Sequence, residues 1–169
     1  MDYFILLLRL VHIVAGVFWV GGTLTMTFFI GPTVGATAEA GQKFIGHLVG
    51  NLKFSARMSA AAGLTILAGA ILYWRDSQGL SSLWLKSGAG TGFTIGAIFG
   101  LIGFIFGIRV GRVITAMAKL GSQFQGQPSP EQMAQMQVLR KQQVTATNIT
   151  AAALILSVIF MAIARYLVF

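Results

Sequence analysis

Residues 3–30 read YFILLLRLVHIVAGVFWVGGTLTMTFFI, an apolar stretch in which Arg9 and His12 are the ionisable side chains between the first and last residues. A membrane-spanning helix needs about 20 apolar residues, so this stretch is long enough to cross a bilayer. It is followed by Gly31-Pro32, a pair that predicts the end of a helix. The stretch therefore predicts a first transmembrane helix over residues 3–30.

The rest of the chain repeats this apolar character. Of the 169 residues, 56% are hydrophobic and 9% are charged, whereas soluble domains carry roughly 25% charged residues. Further helices are predicted over residues 37–75, 91–120 and 130–168. We therefore predict an all-α fold in which residues 1–169 form a single transmembrane domain, a four-helix bundle built from two helical hairpins.

Two of these helices show start signals before their apolar part. Residues 37–39, Thr-Ala-Glu, place a cap residue and an early acid before the second helix. Ser129, Pro130 and Gln132 provide a cap, a proline in the first turn and the glutamine of a capping box. We therefore expect the second and fourth helices to extend beyond the membrane on the same side.

The distribution of charge predicts a topology. Eight of the twelve lysines and arginines lie in or beside the two hairpin loops: Lys43, Lys53, Arg57, Arg109, Arg112, Lys119, Arg140 and Lys141. The positive-inside rule then places both loops in the cytoplasm and both termini outside. Because these residues flank apolar segments, we expect a lipid bilayer as partner and no nucleic acid. The expected location is a bacterial or archaeal plasma membrane, the inner membrane where a cell has two.

One face of the first helix carries ionisable side chains that could bind a ligand. Arg9, His12, Gly16 and Trp19 recur at steps of three and four, so they share a face that should point into the bundle. Nine residues separate Tyr3 from His12, which places the imidazole about 13 Å deep. Ionisable residues at such depth are costly and usually functional.

The residue types leave three interpretations of this face open. His12 can be the axial ligand of a heme whose propionate meets Arg9. It can instead bind copper together with a thioether such as Met161. In the third interpretation the role is structural, with His12 bonded to a backbone carbonyl or to Ser157 while Arg9 extends outward.

The second histidine does not complete a bis-histidine site. His47 lies 27 residues before Trp74, or about 40 Å along a continuous helix, which is beyond the apolar core of the bilayer. We therefore expect His47 on the surface. A sixth ligand would come from Met161, from water or from His12 of a second subunit, and a five-coordinate site is equally consistent.

Glycines recur in the third helix at Gly88, Gly92, Gly96 and Gly100. Small residues at this spacing allow helix backbones to approach closely. The same gap can also admit a flat cofactor, and Gly96 and Gly100 lie at about the depth of His12. The two interpretations are compatible.

Residues 12–22, HIVAGVFWVGG, resemble the opening of the first helix in the small four-helix, heme-binding protoporphyrinogen oxidases of bacteria. The copper-resistance D family opens similarly. Trp84-Leu85-Lys86 and residues 107–112, GIRVGR, resemble the start and the end of the third helix of the oxidases. The resemblance implies a four-helix scaffold, heme b on the first-helix histidine, here His12, and a lysine before helix three, for which Lys86 is nearest.

The chain departs from the oxidase pattern after the first helix. The oxidases continue with Leu-Pro-Arg-Leu-Phe-x-Tyr-His, whereas residues 25–32 here read TMTFFIGP. The four acids also lie outside the apolar, membrane-crossing parts of the predicted helices, and we find no soluble-enzyme motif. The hypothesis is therefore a heme b-binding membrane protein for electron transfer or heme handling rather than for bond-making catalysis. Its site would comprise His12, Arg9, Gly16, Trp19, Gly96, Gly100 and Met161, with His12 as the metal ligand.

Two alternatives belong to other functional classes. One is a copper-handling membrane protein of the copper-resistance D type. The other is a cofactor-free accessory subunit that packs through its glycines on a larger membrane complex. A homodimer is compatible with each of the three hypotheses.

Overall fold

The structure is a computed structural model that describes residues 2–124 and 126–169. Nearly all of these residues are helical, and none of them lies in a strand. Within the described part, four helical stretches are long and apolar enough to cross a membrane: Tyr3–Ala36, Phe54–Asp76, Gly88–Gly121 and Pro130–Tyr166. The predicted all-α membrane bundle is confirmed.

The helices follow one another with short connections. In chain order they are α1 (Tyr3–Thr25), α2 (Gly31–Ala36), α3 (Ala38–Gly46), α4 (Phe54–Asp76), α5 (Ser82–Lys86), α6 (Gly88–Gly121) and α7 (Pro130–Ile163). A π-helical turn, Met26–Ile30, joins α1 to α2, and a second, His47–Asn51, follows α3. A 3₁₀ turn, Ala164–Tyr166, ends α7.

The long helices pack as two antiparallel hairpins. Helix α1 packs mainly on α4, and α6 packs mainly on α7, while α1–α7 and α4–α6 contacts join the pairs. A small core of Trp19, Ala61, Ala62 and Leu154 lies where the hairpins meet. Most large apolar side chains instead point outward, as expected of a surface covered by lipid. We call the end with the α2–α3 and α6–α7 connections the loop end, and the opposite end the terminal end.

The first helix continues past its predicted boundary. Gly31-Pro32 does not stop it, and helical structure runs on to Ala36. Pro32 lacks an N–H, but it lies in the first turn of α2, where that donor is least needed. The π turn before it closes with a bond from the Gly31 N–H to the Met26 carbonyl. The change of register therefore accommodates the proline without breaking the helix.

The second predicted helix, residues 37–75, is two helices. Leu52 and Lys53 separate the π turn after α3 from α4, and Lys53 takes a left-handed conformation with φ of 53°. A left-handed residue cannot continue a right-handed helix, so the chain changes direction there. The long α4 helix begins at Phe54, directly after the break.

The predicted start of the fourth helix is confirmed. The Ser129 hydroxyl accepts from the Gln132 N–H at 3.2 Å, and the Gln132 side chain accepts from the Ser129 N–H at 2.9 Å. Pro130 occupies the first turn. The cap predicted at Thr37 does not form, because that hydroxyl donates to the Thr33 carbonyl at 2.8 Å instead.

The glycine series of α6 packs against α7. A methyl group added at Gly92 would lie 2.8 Å from the Ala164 Cα. One added at Gly103 would lie 2.7 Å from the Leu154 side chain. Beyond them, Gly107 faces open space. Close packing on α7 and its terminal 3₁₀ turn therefore explains the α6 glycines from Gly92 to Gly103.

Candidate functional site

The polar face of α1 is directed toward its neighbouring helices. Trp19 is 5% exposed and meets Phe104 of α6 edge-on, with ring centroids 6.2 Å apart. Gly16 is half-buried against Thr65 of α4, where an added methyl group would lie 3.5 Å from the Thr65 side chain. Trp19 therefore anchors α1 in the core, while Gly16 lies beside α4 one turn farther out, with room for a methyl group.

His12 lies one turn beyond Gly16 and is bound to α4. Its Nδ1 is 2.8 Å from the carbonyl oxygen of Thr65. A carbonyl oxygen accepts but cannot donate, so the proton of this bond lies on Nδ1. In the neutral imidazole, this bond selects the tautomer that leaves a lone pair on Nε2.

Gly69 makes this hydrogen bond possible. In a regular helix the Thr65 carbonyl faces the N–H of the residue four positions later, which is Gly69. A methyl group at Gly69 would lie 2.7 Å from Cε1 and 2.9 Å from Nδ1 of His12. The absence of a side chain at Gly69 therefore lets the ring reach the carbonyl. We call His12, Thr65 and Gly69 the His12 site.

The second ring nitrogen has no protein partner in the described part of the chain. The hydrogen bond of His12 is the one made by Nδ1. No side-chain nitrogen or oxygen of the described residues is both sealed from the surface and unpartnered. It follows that Nε2 of His12 is not completely sealed from the surface of the isolated chain.

Arg9 is not hydrogen-bonded to His12 but pairs with a carboxylate near the terminal end. Its guanidinium lies 3.7 Å from Asp76, and the two side chains are 42% and 34% exposed. Beside them, Arg75 bonds Asp2 at 2.7 Å. These four residues line an open cavity of about 560 Å³ together with Ile5, Leu6 and Gln78. We call it the N-terminal cavity.

Gly96, Gly100 and Met161 lie in the α6–α7 interface. A methyl group at Gly96 would be 3.0 Å from the Met161 side chain. One at Gly100 would be 3.2 Å from the Ser157 hydroxyl, which itself donates to the Gly96 carbonyl at 2.8 Å. The room that the heme hypothesis assigned to these glycines is thus filled by α7.

Met161 and His12 are held in different helix pairs. Each lies seven residues, or about 10 Å, from a member of the core cluster, Leu154 or Trp19. The two side chains are therefore at similar depths. Met161 packs on Gly96 of α6, however, while His12 packs on Gly69 of α4.

The remaining sequence-derived candidates lie apart from the His12 site. His47 is exposed in the π turn after α3. Lys86 is exposed at the end of α5, where Trp84 meets Tyr73 edge-on at 5.3 Å between ring centroids. Among the described residues, no three histidine, cysteine or acidic side chains converge as a metal-binding group.

Sequence reasoning missed the partners of its own candidates. It did not single out Thr65 and Gly69, which hold His12, or Asp76, which pairs with Arg9. The available signal was a glycine four residues after a threonine in the middle of an apolar span. Comparisons with protein-family models, with curated proteins and with solved structures find no match to this chain.

Proposed function

We propose that the chain is a heme b-binding integral membrane protein for electron transfer or heme handling, with Nε2 of His12 as an axial ligand. The observation that carries the proposal is the hydrogen bonding of the two ring nitrogens of His12. Its Nδ1–H is held by the Thr65 carbonyl, while Nε2 is unpartnered within the described chain and is not completely sealed from the surface.

The donor chemistry of the His12 site fits this group. Histidines that bind metals usually donate their other ring N–H to a carbonyl or carboxylate, which orients the ring and makes it a better ligand. Imidazole is a common axial ligand of heme iron. His12 has both features, and Gly69 supplies the space that the orientation requires.

The packing argues for a site on the surface of the bundle. Gly96 and Gly100 are covered by Met161 and Ser157, so the α6–α7 interface has no room for a macrocycle. Within α1, Trp19 is the buried residue, and the rest of that helix is half-buried or exposed. We therefore place the ring beside α1. The other axial position would be open, or filled by water or by His12 of a second copy.

Arg9 is suited to a carboxylate from such a group. It lies one helical turn from His12 toward the terminal end, and its present partner Asp76 is 3.7 Å away, too long for a hydrogen bond. A half-exposed pair of this length is weak. A propionate can therefore take the place of Asp76 as the partner of Arg9.

Heme supplies one-electron redox chemistry when it is bound. The residues of this chain would bind and orient it: His12 ligates, Thr65 fixes the imidazole and Arg9 neutralises a propionate. The chain has no acid in the middle of its spans, so we assign it no bond-making reaction. We place both hairpin loops in the cytoplasm of a bacterial or archaeal cell, because most of the basic residues lie at the loop end.

A cofactor-free accessory subunit is the second candidate. The bond from His12 to Thr65 also satisfies a polar ring inside an apolar span. The α6 glycines are used for packing as far as Gly103, as in a purely structural bundle. In this case the exposed face of α1 would contact another subunit.

Heme content and absorption spectra separate these candidates. The full chain is expressed with ample heme and purified in detergent beside His12→Ala and the matched control His47→Ala, whose histidine is exposed and remote from the His12 site. We expect a Soret band and a reduced α band in the wild type and in His47→Ala, and their loss in His12→Ala. Folded wild-type protein without heme would refute the proposal. Stoichiometric copper would then favour copper handling, and neither cofactor would favour the accessory subunit.

A further inference from the structure

A second cavity lies at the loop end, between α6 and α7. It measures about 290 Å³ and is lined by Phe106, Arg109, Lys141, Gln142, Thr145 and Ala146. We call it the loop-end cavity. It shares no residue with the His12 site or with the N-terminal cavity.

The loop-end cavity brings two cations together without an acid. Neither Arg109 nor Lys141 belongs to any ion pair of the described residues, and no acidic side chain lines the cavity. Asp2 and Asp76 are occupied at the terminal end. Two like charges that converge on one cavity repel each other, so the cavity favours an anion.

The remaining acids are engaged elsewhere at the loop end. Glu39 pairs with Lys43 at 2.7 Å, and Glu131 accepts a hydrogen bond from the Ser129 hydroxyl at 2.9 Å. The counter-charge for Arg109 and Lys141 therefore has to come from outside the described chain.

The depth of the loop-end cavity matches a lipid headgroup. Ala146 lies 20 residues before Tyr166, which is about 30 Å along α7 and the 3₁₀ turn that follows it. That distance equals the hydrocarbon thickness of a typical bilayer. Tyr166 is exposed near the terminal end, as aromatic side chains at a membrane interface are. The loop-end cavity thus lies at the level of the opposite headgroups.

We infer that the loop-end cavity binds the phosphate of an anionic phospholipid from the leaflet at the loop end. Arg109 can hold two phosphate oxygens through its planar guanidinium, and Lys141 adds a second charge. Gln142 and Thr145 offer further hydrogen-bond donors. Phe106 and Ala146 form an apolar part of the same wall, which suits an amphiphile better than a free anion.

Native mass spectrometry of the full chain tests this inference. Wild type is incubated with phosphatidylglycerol or with phosphatidylcholine of the same acyl chains, and retained lipid is measured. The test variant is R109Q/K141Q. The matched control is R112Q/K119Q, which removes the same charge from exposed positions of α6 outside the loop-end cavity.

We expect wild type and control to retain phosphatidylglycerol preferentially. In the test variant, the ratio of retained phosphatidylglycerol to phosphatidylcholine should fall roughly fivefold for each basic residue removed. All three proteins should show equal helical content and monodispersity, because the substituted residues are exposed. Equal losses in test and control variants would mean a diffuse charge effect and would overturn the inference. Displacement of the lipid by inorganic phosphate at constant ionic strength would also overturn it, because the ligand would then be a free anion.

Discussion

At the scale of single residues, the central feature is a histidine whose two nitrogens have different roles. The Nδ1–H of His12 bonds the Thr65 carbonyl, and Nε2 has no partner among the described residues. The carbonyl is accessible because position 69 has no side chain. The chemistry of His12 therefore depends on a residue that carries no functional group.

Gly69→Ala should disturb this arrangement. The added methyl group would lie 2.7 Å from Cε1 of His12, so the ring must move and its bond to Thr65 must lengthen. Crowding of a packed site typically costs about 1–3 kcal/mol. We expect a lower unfolding temperature in detergent, and a weaker Soret band if the heme proposal holds.

Gly63→Ala is the matched control in the same helix. A methyl group at Gly63 meets nothing within 4 Å, and alanine is the better helix former. Its unfolding temperature should equal or exceed that of the wild type. Equal destabilisation by the two substitutions would show that Gly69 has no special relation to His12.

The position of His12 on the inner face of α1 could be predicted from the sequence, but its partner could not. The steps of three and four from Arg9 to Trp19 define a helical face from local spacing alone. Thr65 lies 53 residues from His12. Which carbonyl the ring reaches depends on how α1 and α4 are rotated against each other, and a single sequence does not encode that rotation locally.

At the scale of helices, small residues determine which pairs form. Along α6, Gly92 receives Ala164 of the 3₁₀ turn that ends α7, while Gly96 and Gly103 receive Met161 and Leu154 of α7. In lipid there is little hydrophobic drive between helices, so this close packing is a main source of association. The α6–α7 hairpin is accordingly the most extensively packed pair.

Gly92→Ala should weaken the α6–α7 hairpin. Its methyl group would lie 2.8 Å from the Cα of Ala164, and backbone cannot move aside as a flexible side chain can. We expect destabilisation by about 1–3 kcal/mol in a denaturant titration in detergent micelles. Gly107→Ala, whose methyl group faces open space in the same helix, should leave the midpoint unchanged or raised. A midpoint for Gly92→Ala equal to that of the wild type would contradict the packing account.

Local signals predicted helix starts better than helix interruptions. The capping box at Ser129 depends only on residues within one helical turn, and it forms as predicted. Gly31-Pro32 gave an equally clear stop signal, yet the preceding π turn carries the helix through it. Gly50 and Asn51 precede the break at Leu52 and Lys53, but the left-handed conformation falls on Lys53 and not on either of them. Both differences depend on the hydrogen-bond pattern and dihedral angles of the backbone, which the amino-acid composition does not determine.

At the scale of the whole molecule, the bundle has two chemically different ends. The N-terminal cavity contains Arg9 and Arg75 beside two aspartates, so its charges are balanced. The loop-end cavity contains Arg109 and Lys141 without an acid. This asymmetry agrees with the excess of basic residues near the loop end, from which we propose that the loop end faces the cytoplasm.

Single-cysteine labelling tests this topology, because the chain has no cysteine of its own. Ser82→Cys is exposed near the terminal end, and Gln42→Cys and Gln123→Cys are exposed near the loop end. A membrane-impermeant maleimide should label Ser82→Cys on intact cells, and the other two only after permeabilisation. Labelling of Gln123→Cys on intact cells would reverse the orientation.

The most direct test of the central claim is chemical rescue of the proposed ligand. His12→Gly removes the imidazole and leaves a space that free imidazole can enter. Purified with ample heme, this variant should lack the Soret and reduced α bands of the wild type and regain them when imidazole is added. His47→Gly should retain both bands throughout. Wild-type protein without these bands, or His12→Gly with an unchanged spectrum before imidazole is added, would contradict heme ligation by His12.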